Sequence, residues 1–87
     1  MNHIVCKRWF KRSTGNTYHS VTITDQAGNL IARAPFVYGY GSHCEQTAFD
    51  MLKQKGIVPA AAQYPHVSFA AFGFDVDIID VNRKKDL

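Results

Sequence analysis

One segment of this chain repeats its apolar residues at helical spacing over several turns, and it limits the folds open to everything around it. Cys44, Ala48, Met51 and Leu52 stand at i, i+4, i+7 and i+8, an apolar stripe along one side of a helix. Ser42 precedes the stripe with Glu45 three residues on, the S-x-x-E capping box in which each residue satisfies the other's unpaired backbone donor. Lys53 and Lys55 occupy the last turn and Gly56 follows as its C-terminal stop. The spacing predicts a helix over about 42–56, with an apolar side that needs a surface to cover.

The surface is supplied by runs of period two. In "HIVCKRWF", Ile4, Cys6, Arg8 and Phe10 share one side, while Val5, Lys7, Trp9 and Lys11 share the other. Gly15 and Asn16 then mark a hairpin turn. "YHSVTITD" places His19, Val21 and Ile23 on the core side and Tyr18, Ser20, Thr22 and Thr24 opposite. After the turn "QAGN", "LIARAPFVY" sends Leu30, Ala32, Ala34 and Phe36 one way and Ile31, Arg33, Pro35 and Val37 the other. Pro35 lacks an N–H donor, so this strand is expected to be an edge there or to carry a bulge. "IVPAAAQYPHV" reads as a connector, with room for a turn of helix. In the last strand Phe72, Phe74, Val76 and Ile78 point inward and Asp75 and Asp77 outward, with Ile79 breaking the alternation. Residues 83–87 are expected to fray. The sum is a single α+β domain spanning 1–87, a two-layer β-β-β-α-β arrangement in which one helix packs on one face of an antiparallel sheet.

Composition agrees with a folded domain. A chain of 87 residues, 46% hydrophobic and 13% aromatic, is far from the polar makeup of disordered segments. Lys7 and Arg8 stand where a signal peptide needs its apolar core, and no stretch approaches a membrane span, so a soluble cytoplasmic protein with no membrane partner is expected. Cys6 and Cys44 are too few for a disulfide framework and are expected as buried thiols. The formal charge of +3 is unevenly spread. Lys7, Arg8, Lys11, Arg12 and Arg33 face a single early acid, Asp25, whereas the last strand holds Asp75, Asp77 and Asp80. These halves either neutralise each other across the sheet or leave the basic one for a polyanion.

No catalytic constellation stands out. Tyr38-Gly39-Tyr40-Gly41 is neither a P-loop nor a dinucleotide fingerprint, and its glycines are read as the geometry that turns a strand into a helix. Asp75 and Asp77 read as the solvated side of a strand rather than a metal site. Cys44 belongs to the apolar stripe and does not face His43. The four histidines share no ligand spacing, and His19 is expected to be hydrogen-bonded inside. No metal and no cofactor is assigned, and a non-enzyme is expected. What remains is the face opposite the helix. Lys7, Trp9, Lys11, Tyr18 and Arg33 alternate onto it, with Tyr38 and Tyr40 beside it, and aromatic rings among basic residues suit a protein interface or stacked bases. Trp9 and Tyr18 also fit a cross-strand pair that shields the sheet.

"GNTYHSVTI" and "PFVYGYGSHCEQTA" together resemble short uncharacterised proteins encoded by bacteriophages and prophages, over roughly the first two thirds of the chain. The resemblance implies a phage-type product of the size class that includes anti-CRISPR inhibitors, which bind and block a host protein or nucleoprotein complex. The leading expectation is therefore a non-catalytic protein-binding inhibitor or modulator, monomeric or homodimeric, in the host cytoplasm. The alternative is a small nucleic-acid-binding module that uses the same face.

Overall fold

Two tight turns set the register of the sheet. The computed structural model describes residues 1–39 and 43–87. Expectations attached to Tyr40, Gly41 and the Ser42 cap lie outside the described residues. β1 (Asn2–Lys11) and β2 (Asn16–Thr24) are joined through Gly15, whose φ of 72° requires a residue free to turn left-handed. They pair antiparallel with Ile4 opposite Ile23, Cys6 opposite Val21 and Trp9 opposite Tyr18. Asp25 builds the second turn by accepting the backbone N–H groups of Ala27 and Asn29, both at 2.9 Å. These bonds, Asn29's first, hold its carboxyl below the usual aspartate range. β3 (Leu30–Tyr38) follows as the antiparallel edge next to β2.

The sheet order is β3-β2-β1-β4, with β4 spanning Phe74–Val81. It is α+β as expected, but mixed rather than wholly antiparallel: β4 runs parallel to β1, from Asn2 opposite Phe74 to Trp9 opposite Val81. Parallel strands need a long crossover, and the connection from β3 to β4 supplies one with two helices rather than one. α1 (His43–Gln54) falls within the expected span and packs over β1 and β2. α2 (Pro65–Ala71) packs by β4 and occupies sequence read as connector and strand entry. Pro65 starts it, where a missing N–H leaves no bond unmade. Phe72 therefore ends a helix, exposed, instead of pointing inward from a strand.

A second difference lies in β3. Val37 stands opposite His19 and Ala34 opposite Val21, so Pro35 and Phe36 together face the single residue Ser20. This is the bulge that Pro35 foretold, and it reverses the alternation beyond it. Val37 turns to the helix side with His19, and Phe36 turns to the open side with Tyr18.

The core lies between sheet and helices: Ile4, Cys6, Val21 and Ile23 from the strands meet Cys44, Ala48, Phe49, Leu52 and Phe69 from α1 and α2, with Val58 and Phe74. Phe49 and Phe69 meet edge to face, 6.2 Å between centroids. Cys6 and Cys44 are free, buried thiols that hydrogen-bond to each other, and that bond together with burial pushes the Cys6 thiol up. Residues Lys84–Asp86 form a 3-10 turn where fraying was expected. Among the described residues no helix is long and apolar enough to cross a membrane.

Candidate functional site

The open face of the sheet gathers its aromatic residues into one cluster. Register places Trp9 on β1, Tyr18 on β2 and Tyr38 on β3 side by side, and the bulge adds Phe36. Tyr18 stands in the middle. Its ring stacks on Phe36 at 4.6 Å and 17°, and on Trp9 at 5.8 Å and 28°. Tyr38 leans on it at 5.6 Å and 60°. Because Trp9 and Phe36 come from the strands on either side of β2, both faces of Tyr18 are covered. The Trp9–Tyr18 pair expected as a shield is therefore present, but it continues outward into Phe36 and Tyr38, which are substantially exposed.

Basic residues flank the cluster. Lys7 lies opposite Ser20, Lys11 opposite Asn16 and Arg33 opposite Thr22, all at open-face positions. Lys84 comes from the C-terminal turn and holds its Nζ 4.9 Å from the Phe36 ring centroid, a cation–π approach. The face is not bare throughout, since Ser20 is buried although it points outward. Of the residues singled out in the sequence, Lys7, Trp9, Lys11, Tyr18, Arg33 and Tyr38 thus share this face, and Tyr40 lies outside the described residues. Phe36 and Lys84 were missed. Pro35 signalled the bulge, yet uninterrupted alternation sent Phe36 inward; nothing local to "RKKDL" signals a turn folded toward β3.

The charges of the two halves meet on specific partners. His3 Nδ1 lies 2.7 Å from Asp75 Oδ1. Arg8 holds Asp80 with Nε at 2.8 Å and Nη2 at 3.2 Å, and this bond raises the pKa of its guanidinium. Asp77 stands opposite Val5, so the last strand does not place a carboxylate opposite Lys7, whose neighbour there is Ile79.

Behind the sheet, His19 is buried as expected. Its Nε2 lies 2.8 Å from Thr47 Oγ1 and its Nδ1 3.3 Å from the Gly39 carbonyl. Burial lowers its pKa, with the Gly39 carbonyl opposing that shift and nearby His43 adding to it. Gly39 is fixed by packing: a Cβ there would run into the His43 imidazole, 2.7 Å from Cγ and 3.0 Å from Cβ. The first glycine of the YGYG stretch is thus a point of close approach between strand and helix. Among the described residues no three His, Cys, Asp or Glu side chains converge as a metal site would need. Comparison of the chain with family models, curated proteins and solved structures finds no match.

Proposed function

We propose that the protein is a non-catalytic binding module that docks its aromatic, basic sheet face on a target protein, and that it acts as an inhibitor or modulator of a bacterial host system in the manner of anti-CRISPR proteins. The second half of that reading rests on the resemblance of the YGYG region to phage-encoded proteins. The first rests on the way the rings are arranged.

Stacked bases need open ring faces. Here the central ring, Tyr18, has Trp9 and Phe36 on its two sides, so the cluster presents ring edges and the exposed flanks of Phe36 and Tyr38. Aromatic edges beside aliphatic residues such as Ile79, bordered by Lys7, Lys11, Arg33 and Lys84, match the centre and rim of a protein interface. The basic border selects a target surface carrying carboxylates. A phosphate backbone would meet the same border, which keeps the nucleic-acid module as the alternative.

The test is affinity capture from a nuclease-treated bacterial lysate with the native protein and with a Phe36→Ala/Tyr38→Ala variant, followed by calorimetry on the purified target. A target held by the native protein and weakened by ~2 kcal/mol or more in the variant, at unchanged thermal stability, supports docking through this face. Capture that disappears with nuclease and falls steeply with salt supports the nucleic-acid module instead. Equal capture by both proteins places the docking surface elsewhere.

A further inference from the structure

The parallel pairing of β1 and β4 brings together two basic segments that lie far apart in the sequence. Because Trp9 stands opposite Val81, both strands end at the same border of the sheet. β1 delivers Lys11 and Arg12 there, and β4 delivers Arg83. These three cations line one open recess of about 600 Å³. The ion pairs of the described residues are His3–Asp75, Arg8–Asp80 and His66–Glu45, so none of the three is matched with a carboxylate. The neighbouring recess, on the other side of Phe10, differs in this respect: its cation, Arg8, is held by Asp80 at 2.8 Å. Asp86, the acid of the C-terminal turn, takes no part in lining the basic recess. Three like charges around one hollow, with no acid among them, make it a positive site that an anion would complete.

Both walls are held by backbone bonds. The Gly15 N–H donates to the Lys11 carbonyl at 2.9 Å and closes the hairpin turn that carries Arg12, and the Asp86 N–H donates to the Arg83 carbonyl at 3.0 Å. The cations therefore stand on fixed backbone, and binding has only their side chains to order. Ser13 and Asn82 add a hydroxyl and an amide to the lining, and Trp9 and Phe10 its aromatic part. The anion's charge follows from the number of cations. A lone carboxylate would leave two of them unmatched, whereas a terminal phosphate or a diphosphate brings about two charges or more and several acceptor oxygens, the geometry that suits guanidinium forks.

We infer that this recess binds a phosphate of multiple charge, a terminal phosphate monoester or a diphosphate, with Arg12, Arg83 and Lys11 as its counter-charges. The site goes beyond docking on the open face, because Arg12 and Arg83 take no part in that face, although Lys11 and Trp9 border both. The phosphate belongs either to a free nucleotide or to the 5′ end of a nucleic-acid strand, and both present the same oxygens.

The experiment is calorimetric titration of the intact chain in about 0.15 M NaCl, which screens diffuse surface attraction. The probes are ADP, adenosine, tetraglutamate, and hexathymidylate with and without a 5′-phosphate. ADP should bind saturably and adenosine should not. The double variant Arg12→Gln/Arg83→Gln should weaken ADP by about tenfold or more at an unchanged thermal midpoint. Lys55→Gln, which removes an exposed cation after α1, should leave ADP binding as it is. If the double variant unfolds, Arg83→Lys, which keeps the charge and loses the fork, provides the second variant, with several-fold weaker binding expected. Binding of the 5′-phosphorylated strand at least as tightly as ADP assigns the phosphate to a strand end, and binding of ADP alone assigns it to a free nucleotide. Absence of saturable binding by both, equal affinity in the double variant, tetraglutamate binding as tightly as ADP, or a strand that binds equally with and without its 5′-phosphate would overturn the inference.

Discussion

The two faces of this sheet are written with the same alternation and end in different physical states. On the helix side Ile4, Cys6, Val21 and Ile23 are entirely removed from solvent, because α1 lies across them. On the open side Val5, Trp9 and Tyr18 reach only partial burial, and Trp9 and Tyr18 are covered in part by stacking on each other. The difference shows that period two assigns a side, whereas the element lying over that side makes it a core. β4 illustrates this within one row. Val76 and Ile78 both face the helices, yet Ile78 is 40% exposed because it lies toward the end of the strand that the helices leave open.

The comparison breaks if an open-face residue proves as costly to remove as a covered one. Phe49, 1% exposed and packed against Phe69, should lose ~3–5 kcal/mol on replacement by Ala, enough to unfold a domain of this size. Trp9→Ala removes a half-buried ring from a stack and should cost about 1–2 kcal/mol, with the fold retained. Urea unfolding of both variants measures the gap. Similar losses would make the open face a second core, and its aromatic cluster a structural device instead of a docking surface.

Next in size is the junction where the two faces part, at the end of β3. Gly39→Ala puts a methyl group against the base of the His43 side chain, which cannot swing clear because the clash reaches its Cβ. Overpacking of this kind costs about 1–3 kcal/mol, seen as a lower thermal midpoint. An unchanged midpoint would show that the strand and α1 separate freely there.

These particulars also show what the sequence could reveal. The three-strand start, the α1 span, the buried cysteines and the side taken by each β1 and β2 residue follow from local periodicity and turn chemistry, and all are present. The direction of β4 was not legible, because it depends on how far the connection travels, and the apolar residues of α2 fit a strand as well as one turn of helix. Phe36 was lost to a one-residue slip, which moves a side chain from one face to the other. The surroundings of Glu45 were hidden for a similar reason. Glu45 looked like half of a capping box, and only the arrival of α2 brings His66 and Pro65 around it.

A pH effect separates the faces further, since His19 is buried on the helix side. A neutral imidazole donates one hydrogen bond, yet both nitrogens of His19 lie against oxygen, Nδ1 against the Gly39 carbonyl and Nε2 against Thr47 Oγ1, whose own proton goes to the His43 carbonyl at 3.2 Å. Burial holds its pKa below the ordinary value of 6.5. The unfolded chain therefore takes up the proton first, and the stability that His19 contributes is complete above pH 6.5 and is lost as pH falls toward and through the folded value. Unfolding free energies between pH 8 and 5 should decline on the acid side with a slope of at most about 1.4 kcal/mol per pH unit from this one proton. His19→Gln should flatten that part of the curve. A curve equally steep in the variant would assign the acid sensitivity to other groups.

The smallest expected effect tests where the covered face ends. Arg8 and Asp80 occupy the row after Cys6 and Ile78 on the helix side, and there an ion pair stands in place of apolar contact. The bidentate geometry is good, but the Asp80 side chain is 74% exposed and the Arg8 side chain 28%, so water competes for both charges. Asp80→Asn should cost no more than ~1 kcal/mol at low salt, and the difference from the native protein should shrink in 1 M NaCl, where screening acts within about 3 Å. Chemical denaturation with urea, which adds no ions, can be run at both salt levels. A loss above ~2 kcal/mol that persists in salt is the signature of a desolvated pair, because removing one partner then leaves a buried charge uncompensated. In that event the dry layer under the helices extends one row further than the burial of its side chains indicates, and the boundary between the two faces lies beyond Arg8.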